Sequence, residues 1–265
     1  MTCSVSTIVT CTQGSRKSME DYYSVTKLLK DRSHFFAVFD GHGGSAVAAY
    51  CKEHMHGVLE SAFTRNTSPE TDVKIRNAFL RMDALIQKDM PEESQHTGTT
   101  VGILFIDKKK IWSANCGDTE IMVSFKDGRS TMLSQSHKVE NEIDRLQKKG
   151  AIITNYDCPR IEFRLNIARS LGDFDLKKYV IPDPFIKSIP LDKKIDYIII
   201  ASDGLWDVFT KDEVTYLIKE LKSTTYAHTN YDEKKIMNKI CHDVIQEALK
   251  KGSTDNITMI FLRIE

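Results

Sequence analysis

The sequence has no excess of charge of either sign. Its 265 residues include 37 Lys and Arg and 37 Asp and Glu, so the formal net charge is zero. Proteins that bind nucleic acid or anionic membranes generally carry a field of positive charge, which this balance does not provide. We therefore expect neither nucleic acid nor a membrane as partner, and the ligand must be inferred from local features.

Paired cysteines and long apolar runs are also missing. The six cysteines are scattered, with no Cys-x-x-Cys pair and no histidine spacing typical of zinc sites. No basic segment followed by an apolar stretch opens the chain, and no run approaches the roughly 18 apolar residues of a membrane helix. These absences predict reduced thiols and a cytoplasmic or nuclear protein.

The composition is otherwise that of a soluble globular protein. Hydrophobic residues make up 41% of the chain and charged residues 28%, which are ordinary values. The sequence contains no linker, low-complexity tract or internal repeat. We therefore expect a single domain over residues 1–265, without an appended regulatory domain, and a monomer.

Two apolar runs of strand length end in the same way. Residues 34–39 lead to Asp40, and His42 follows two positions later. Residues 197–201 lead, after one serine, to Asp203. An apolar run without polar alternation predicts a strand buried on both faces, which leaves the core at its first polar residue. A single Asp-Gly after a strand is usually a turn, but its repetition predicts a metal site shared by the two carboxylates.

Periodic patterns predict the other elements of structure. Apolar residues alternate, or recur every three to four positions, in several segments. The predicted elements are strands at 2–13 and 23–29, a helix at 46–63, a helix that starts at Ser68, an antiparallel meander at 97–133, a helix at 139–149 closed by Gly150, a helix that opens with a capping box at 210–213, a helix at 232–250 and a closing strand at 257–264.

Further carboxylates stand at strand breaks. Glu20 and Asp21 are adjacent and would point to opposite faces of an extended chain, so they could serve two tasks at one site or form a solvated acidic turn. Asp118 follows a glycine at a break between strands, where a turn is the alternative. Asp255 precedes the last strand, and antiparallel pairing of that strand would bring it to the same rim as the earlier aspartates.

Seven short motifs resemble, in order, those of the metal-dependent type 2C serine/threonine protein phosphatases. They are Arg16-x-x-Met19-Glu20-Asp21, Phe39-Asp40-Gly41-His42-Gly43-Gly44, Thr97-Gly98-Thr99-Thr100, Asn115-Cys116-Gly117-Asp118, Leu171-Gly172-Asp173, Ser202-Asp203-Gly204-Leu205-Trp206-Asp207 and Asp255-Asn256-Ile257-Thr258. Each alone is a weak signal, but the series spans almost the whole chain. The resemblance implies an α+β fold, a four-layer α-β-β-α sandwich of two antiparallel sheets flanked by helices.

The resemblance also implies two Mg²⁺ or Mn²⁺ ions per active site and a third, more weakly bound ion. Carboxylates without thiolates or clustered imidazoles suit these hard cations better than zinc. Asp40 would bridge the two main ions, and Asp118 and Asp207 would hold the third together with Asp203. The implied metal residues, direct or through water, are Glu20, Asp21, Asp40, Gly41, Asp118, Asp203, Asp207 and Asp255.

The implied activity is hydrolysis of phosphoserine and phosphothreonine in phosphorylated proteins by activated water, without a covalent phosphoenzyme. Arg16 would bind the phosphate through its planar fork, although an ion pair with Glu20 or Asp21 is the alternative. His42 would protonate the leaving oxygen, with a hydrogen-bonded loop histidine as the alternative. The implied catalytic residues are Arg16, Asp40, His42, Asp203 and Asp255.

The chain departs from the family pattern at three places near the implied site. Glu120 stands where relatives commonly have Arg, Ser136 where they have Asp, and Phe163 ends a segment that is commonly Arg-Val-Asn-Gly. These departures bear on the third ion and on peptide preference. Two other functions stay open: a catalytically silent relative that acts as a protein-binding module, and a metal-dependent phosphatase for small phosphate esters.

Overall fold

Antiparallel strands and long helices make up most of the chain. The computed structural model describes residues 5–28, 33–64, 70–228 and 232–264, apart from the side chains of residues 225–228. Its strands are β1 (Val5–Thr12), β2 (Asp21–Leu28), β3 (Ser33–His42), β4 (Gly98–Ile106), β5 (Lys110–Cys116), β6 (Glu120–Phe125), β7 (Ser130–Met132), β8 (Ile153–Asn155), β9 (Pro159–Ile161), β10 (Leu171–Gly172), β11 (Phe185–Pro190), β12 (Ile195–Ala201) and β13 (Ile257–Ile264). Its α-helices are α1 (Ala46–Thr64), α2 (Thr71–Asp89), α3 (Ile143–Lys148), α4 (Asp203–Trp206), α5 (Lys211–His228) and α6 (Glu233–Lys250).

The strands form two antiparallel sheets. Sheet I has the order β1-β13-β12-β6-β7, and sheet II has the order β11-β5-β4-β3-β2 with β10 beside β4. Strands β8 and β9 pair separately as a short hairpin. Helices α1 and α2 cover the outer face of sheet II, and α5 and α6 cover the outer face of sheet I. The expected four-layer α-β-β-α sandwich of class α+β is confirmed.

The packing of β3 explains why its sequence is apolar without alternation. Phe35, Ala37 and Phe39 pack toward α1 and α2, whereas Phe36 and Val38 pack between the two sheets. None of these side chains is more than 2% exposed. Strand β12 is divided between two clusters in the same way. Since burial stabilises each large apolar side chain by about 1.5–3 kcal/mol relative to exposure, the ends of both strands are held firmly.

Most predicted helices are found with small differences at their ends. The helix predicted at 139–149 is an exception, because Val139–Asn141 forms a separate 3-10 turn and only Ile143–Lys148 is α-helical. Helix α1 ends one residue beyond the predicted segment 46–63, and α6 matches the segment 232–250 with Asp232 as its N-cap. The capping box forms as expected: Thr210 N–H donates to Glu213 Oε2 at 2.8 Å. The predicted helix start at Ser68 lies outside the described residues, and α2 begins at Thr71.

In the described part of the chain, no helix combines the length and the apolar character needed to cross a bilayer.

The predicted antiparallel meander at 97–133 is wrong in one respect. Strands β4 and β5 belong to sheet II, whereas β6 and β7 belong to sheet I, so the chain changes sheet between β5 and β6. Gly117 at this crossover has φ +104°, and a Cβ there would lie 2.5 Å from the Cβ of Thr100. Strand periodicity does not distinguish a crossover from a hairpin turn, so the sequence pattern did not reveal it. The crossover is what carries Asp118 to the end of the sandwich.

Candidate metal centre

Carboxylates from four parts of the chain meet at one end of the sandwich. Oxygens of Asp40 at the end of β3, Asp118 at the crossover and Asp203 after β12 lie within 4.8 Å of one another. Asp207 and Asp255 line the same cleft of about 500 Å³, which we call the acidic cleft. Because β12 and β13 are antiparallel, the residue after β12 and the residues before β13 lie at the same end of sheet I.

The backbone beside Asp203 is fixed by the start of β13. Ser202 N–H donates to the carbonyl of Thr258 at 3.1 Å, and Thr258 N–H donates to Ser202 Oγ at 2.9 Å. The Ser202 hydroxyl donates to Asp21 Oδ2 at 2.8 Å. Asp21, predicted among the metal residues, is only 6% exposed and lies behind the lining of the acidic cleft. Burial raises the pKa of Asp21 to about 6, despite the hydrogen bond from Ser202.

Glu20 and Gly41 are held together by their backbones at the edge of the acidic cleft. Gly41 N–H donates to the carbonyl of Glu20 at 3.2 Å. A Cβ at position 41 would lie 2.7 Å from that carbonyl oxygen, so only glycine fits there. The Glu20 carboxylate accepts hydrogen bonds from Ser18 Oγ at 2.8 Å and from Gly44 N–H at 3.2 Å. Both predicted metal residues thus lie in the acidic cleft, beside Asp40.

The aspartates of the acidic cleft repel one another. Burial, and then the charges of neighbouring aspartates, raise the pKa of Asp40 and of Asp203 well above the usual range. Burial also raises the pKa of Asp118 to about 6. The Oδ2 atom of Asp118 is buried without a hydrogen-bond donor. An unpaired carboxylate oxygen among other crowded carboxylates is a donor set that fits a hard divalent cation such as Mg²⁺ or Mn²⁺.

Mn²⁺ binding is expected to weaken as the pH falls through 6. The pKa of Asp118 is raised from 3.8 to about 6, so below that pH a cation must displace a proton that an ordinary aspartate would already have lost. The apparent affinity should therefore fall by about tenfold per pH unit for each displaced proton, and it should level off only above the raised pKa values of Asp40, Asp118 and Asp203. Calorimetric titration with Mn²⁺ in buffers of different ionisation enthalpy measures both the affinity and the number of protons released on binding. Equal affinity at pH 5 and pH 7, without proton release, would contradict a cation at these carboxylates.

Two charged residues flank the aspartates expected to hold a third ion. Lys138 forms an ion pair with Asp207, and although burial opposes the shift, this carboxylate raises the pKa of Lys138 to about 12. Burial and the charge of Asp118 raise the pKa of Glu120 to about 7. The side chain of Glu120 accepts a hydrogen bond from Ser134 Oγ at 3.4 Å. The departure at position 120 therefore adds an acidic group beside Asp118, while an ammonium group already balances Asp207.

The segment that departs most from the family pattern forms a wall of the acidic cleft. Arg160 in β9 and Arg164 after it both line the cleft. Phe163 between them is 61% exposed and has φ +61°, a left-handed conformation that is uncommon for a residue with a side chain. Ser136, the other departure, accepts a hydrogen bond from Asn141 through its carbonyl at 3.0 Å. Two arginines of this segment, or directly after it, therefore line the acidic cleft, whereas Phe163 is not part of its lining.

Arg16 lies at the exposed rim of the acidic cleft. Its Nη2 atom is 2.5 Å from Asp255 Oδ2, and its side chain is 58% exposed. The ion pair considered from the sequence had Glu20 or Asp21 as the partner, whereas the structure pairs Arg16 with Asp255. A guanidinium group has five N–H donors, so this contact leaves donors available for a phosphate.

His42 is paired with a buried aspartate to which the sequence assigned no role. His42 Nε2 is 2.7 Å from Asp173 Oδ2, and the Asp173 side chain is 0% exposed. Burial alone would lower the pKa of His42, but the charge of Asp173 and this hydrogen bond raise it. Burial would raise the pKa of Asp173, but His42 lowers it. The only signal for Asp173 in the sequence was its place in the motif Leu171-Gly172-Asp173.

Asn256 is a second residue that the sequence did not single out. Its Oδ1 atom accepts a hydrogen bond from Glu20 N–H at 2.7 Å. Its Nδ2 atom donates to the carbonyls of Gln13 at 2.8 Å and Ser18 at 3.0 Å. Asn256 is 5% exposed. This one side chain therefore ties the loop that carries Arg16 and Glu20 to the loop that carries Asp255.

Several known proteins similar to this chain are named as phosphatases. A family profile described as protein phosphatase 2C matches residues 6–257. Probable protein phosphatase 2C 20 of Arabidopsis thaliana is 33% identical over 256 residues, which cover 93% of this chain and 82% of that protein. Protein phosphatase 1L of Bos taurus is 31% identical over 264 residues, which cover 95% of this chain and 70% of that protein. Other relatives are longer, and the chain spans about half of their length.

Solved structures show the same fold. The crystal structure of the serine-threonine phosphatase 2C from Toxoplasma gondii superposes with a TM-score of 0.81 at 20% sequence identity, and the match covers 98% of this chain and 94% of that one.

Proposed function

Because this chain belongs to the protein phosphatase 2C family, we propose that it hydrolyses phosphoserine and phosphothreonine esters in proteins. The proposed nucleophile is water activated by two Mg²⁺ or Mn²⁺ ions, and no covalent phosphoenzyme forms. The observation that carries this proposal is the convergence of Asp40, Asp118 and Asp203, whose oxygens lie within 4.8 Å of one another. The unpaired Oδ2 atom of Asp118 supports a cation at this place.

The chemistry explains why such a cluster is needed. A phosphate monoester is an anion that repels a nucleophilic oxygen, and two bound divalent cations would neutralise it and lower the pKa of a water molecule. Asp40 precedes Gly41 in the chain and its carboxylate lies close to those of Asp118 and Asp203, so it would help to hold the cations. The residues that would hold the pair, directly or through water, are Glu20, Asp40, Gly41, Asp203 and Asp255, and those for a weaker third cation are Asp118, Asp203 and Asp207.

The chain's own residues would supply the rest of the reaction. Arg16 would bind the phosphate oxygens through the donors that its contact with Asp255 leaves free. The serine or threonine oxygen is a poor leaving group unless it receives a proton as the P–O bond breaks. His42 lines the acidic cleft and its raised pKa favours the imidazolium form, so it is the proposed proton donor.

One sequence feature would favour a different phosphatase mechanism. Cys158 and Arg164 have the Cys-x5-Arg spacing of the loop with which tyrosine phosphatases form a cysteinyl phosphate, and both line the acidic cleft. In such a loop, backbone N–H groups must be free to bind phosphate. Here Glu162 N–H donates to Ile152 O at 2.9 Å, and Ile161 N–H donates to Leu165 O at 2.7 Å. The segment is part of a hairpin, which supports the mechanism without a phosphoenzyme.

An assay on matched substrates tests the proposal. A phosphoserine peptide, p-nitrophenyl phosphate and a small sugar phosphate are incubated with the enzyme in Mn²⁺ or in EDTA. We expect Mn²⁺-dependent release of phosphate from the peptide, and retention of this activity by Cys158→Ser. No turnover of any substrate would favour the silent binding module, and turnover of the sugar phosphate alone would favour the small-ester phosphatase. Loss of activity in Cys158→Ser, with a trapped phosphoenzyme, would overturn the mechanism.

Replacing Arg16 by alanine is expected to raise the KM for phosphopeptide more than it lowers kcat. The guanidinium group would contact the phosphate and not the attacking water, so its loss removes binding of substrate and transition state alike. Loss of one charge-assisted hydrogen bond of about 1.5–3 kcal/mol predicts a rise of roughly 10- to 100-fold. Steady-state kinetics at saturating Mn²⁺ measures the two constants. An unchanged KM would contradict phosphate binding by Arg16.

A further inference from the structure

We propose that Asp173 is a positioning residue for the proton transfer. It holds the imidazole of His42 through Nε2 and thereby leaves Nδ1 as the nitrogen that delivers the proton to the leaving oxygen. This inference rests on the proposed function, because it assigns a supporting residue and a donor atom to the same reaction.

The contact between the two side chains is close and shielded from water. His42 Nε2 lies 2.7 Å from Asp173 Oδ2, and the two side chains are 23% and 0% exposed. The hydroxyl of Ser170 donates to the same Oδ2 atom. A carboxylate accepts hydrogen bonds and an imidazole N–H donates them, so Nε2 of His42 carries a proton and donates it in a hydrogen bond to Asp173.

The backbone holds Asp173 in an unusual conformation at this place. Its φ of 52° and ψ of 46° are left-handed, a conformation that is uncommon for a residue with a side chain. Asp173 N–H donates to the carbonyl of Thr97 at 3.0 Å. One residue earlier, Gly172 N–H donates to Asp83 Oδ1 at 3.0 Å, and Lys177 Nζ donates to the same oxygen at 2.9 Å. The backbone that carries the carboxylate is therefore held by hydrogen bonds at residues 172 and 173.

The contact between His42 and Asp173 occupies the space beside Gly98 that a side chain would otherwise fill. A Cβ at Gly98 in β4 would lie 2.1 Å from Asp173 Oδ2 and 2.5 Å from His42 Nε2. Any side chain at position 98 would therefore separate the two groups. The absence of a side chain here supports direct contact between His42 and Asp173 as a required feature of the site.

The proton transfer is balanced as follows. The oxygen of the attacking water forms a bond to phosphorus, and the bond from phosphorus to the serine or threonine oxygen breaks. The imidazolium of His42 gives its Nδ1 proton to that leaving oxygen, and so becomes neutral. Its Nε2–H stays hydrogen-bonded to Asp173, which remains a carboxylate throughout. One proton of the attacking water stays on the phosphate and the other is released to solvent. A solvent proton then returns to Nδ1 of His42, and the products are an alcohol and hydrogen phosphate.

The leaving group separates a positioning role from a structural one. A phosphoserine peptide needs a proton on its leaving oxygen, whereas the p-nitrophenolate ion is stable without one. Asp173→Asn keeps the shape of the side chain and removes its charge. We expect a fall of about 10- to 100-fold in kcat for the peptide, the size of effect typical of residues that orient a reacting group, and a much smaller fall for p-nitrophenyl phosphate. His42→Ala should show the same selectivity, and the two changes should not be additive.

A spectroscopic measurement gives a readout that does not depend on activity. The ¹⁵N chemical shifts of a histidine ring report which nitrogen carries the proton. In the wild-type protein near pH 8 we expect His42 to be protonated on Nε2, and in Asp173→Asn we expect this preference to be lost. Asp192→Asn, an exposed aspartate in the loop before β12, serves as the control and should change neither the spectrum nor the kinetics. Thermal unfolding of each variant verifies that it is folded, and Ser170→Ala provides a milder test of the same contact.

The outcomes distinguish this inference from the proposed function. Suppose that folded Asp173→Asn loses kcat equally for the peptide and for p-nitrophenyl phosphate, while His42→Ala loses it mainly for the peptide. This result would overturn the positioning role and leave the phosphatase proposal intact. An unchanged ¹⁵N spectrum in Asp173→Asn would also overturn it. A wild-type enzyme that hydrolyses neither substrate would overturn the phosphatase proposal, whereas the ¹⁵N spectrum would still test the contact.

Discussion

Replacing Asp203 by asparagine is expected to lower phosphopeptide hydrolysis by more than about 100-fold and to raise the thermal stability of the protein in EDTA. Changes to groups that only support a metal ligand typically cost 10- to 100-fold, so loss of a ligand itself should cost more. Stability should move the other way, because burial and the charges of Asp118, Asp207 and Asp255 disfavour the ionised form of Asp203. Function and stability therefore oppose one another at this residue.

The stability effect should depend on pH. The pKa of Asp203 in the folded protein is raised, so its ionisation destabilises the fold increasingly as the pH rises through that pKa. At low pH the wild-type carboxyl group is protonated, and the asparagine should make little difference. At pH 8 in EDTA the variant should unfold at a higher temperature, by roughly 2–4 °C for each kcal/mol of repulsion that is removed. Calorimetric unfolding at both pH values, with and without Mn²⁺, measures the effect.

A matched control separates this repulsion from a general effect of charge. Asp212→Asn changes an exposed aspartate in the first turn of α5, which pairs with Lys211 outside the acidic cleft. It should alter neither turnover nor the response to Mn²⁺. Full turnover by Asp203→Asn would contradict the assignment of the metal centre, and a destabilised variant at pH 8 in EDTA would contradict the mutual repulsion of the aspartates.

The sequence predicted best what local pattern determines. Asp40 and Asp203 could be found because each follows an apolar run without polar alternation, which indicates a strand buried on both faces. The first polar residue after such a run marks the place where the chain leaves the core. The helices could be found because apolar periodicity and caps are local signals. Asp118 was harder to place, because the sequence pattern at a strand break is the same whether the chain reverses within one sheet or crosses to the other sheet.

Residues that act through distant partners could not be assigned from the sequence. Asp173 meets His42 across 131 positions of the chain, and Asn256 meets Glu20 across 236. No spacing rule connects residues that far apart, and only the packed fold shows which atoms meet. The converse holds for Cys158 and Arg164, whose spacing matches a known catalytic loop although their backbone forms a hairpin. Spacing therefore indicates chemistry only when the backbone conformation agrees.

Replacing Asn256 by leucine is expected to destabilise the protein and weaken both metal and substrate binding. Leucine has nearly the same shape as asparagine but leaves Glu20 N–H and the carbonyls of Gln13 and Ser18 without their partner. Unsatisfied groups of this kind cost about 1–3 kcal/mol each when they are buried, although those nearer the surface cost less. We expect a loss of roughly 2–4 kcal/mol, which corresponds to a fall of about 5–15 °C in Tm.

The effect on function identifies Asn256 as the link between two loops of the acidic cleft. If it holds the loop that carries Arg16 and Glu20 against the loop that carries Asp255, its loss should raise the Mn²⁺ concentration for half-maximal activity and the KM for phosphopeptide together. A change in Arg16 alone would raise only the latter. Asn77→Leu, at an exposed position of α2, should change neither value. A folded Asn256→Leu with unchanged Mn²⁺ dependence would contradict this role, because the contacts of Arg16 with Asp255 and of Ser15 with Thr254 would then suffice to hold the two loops together.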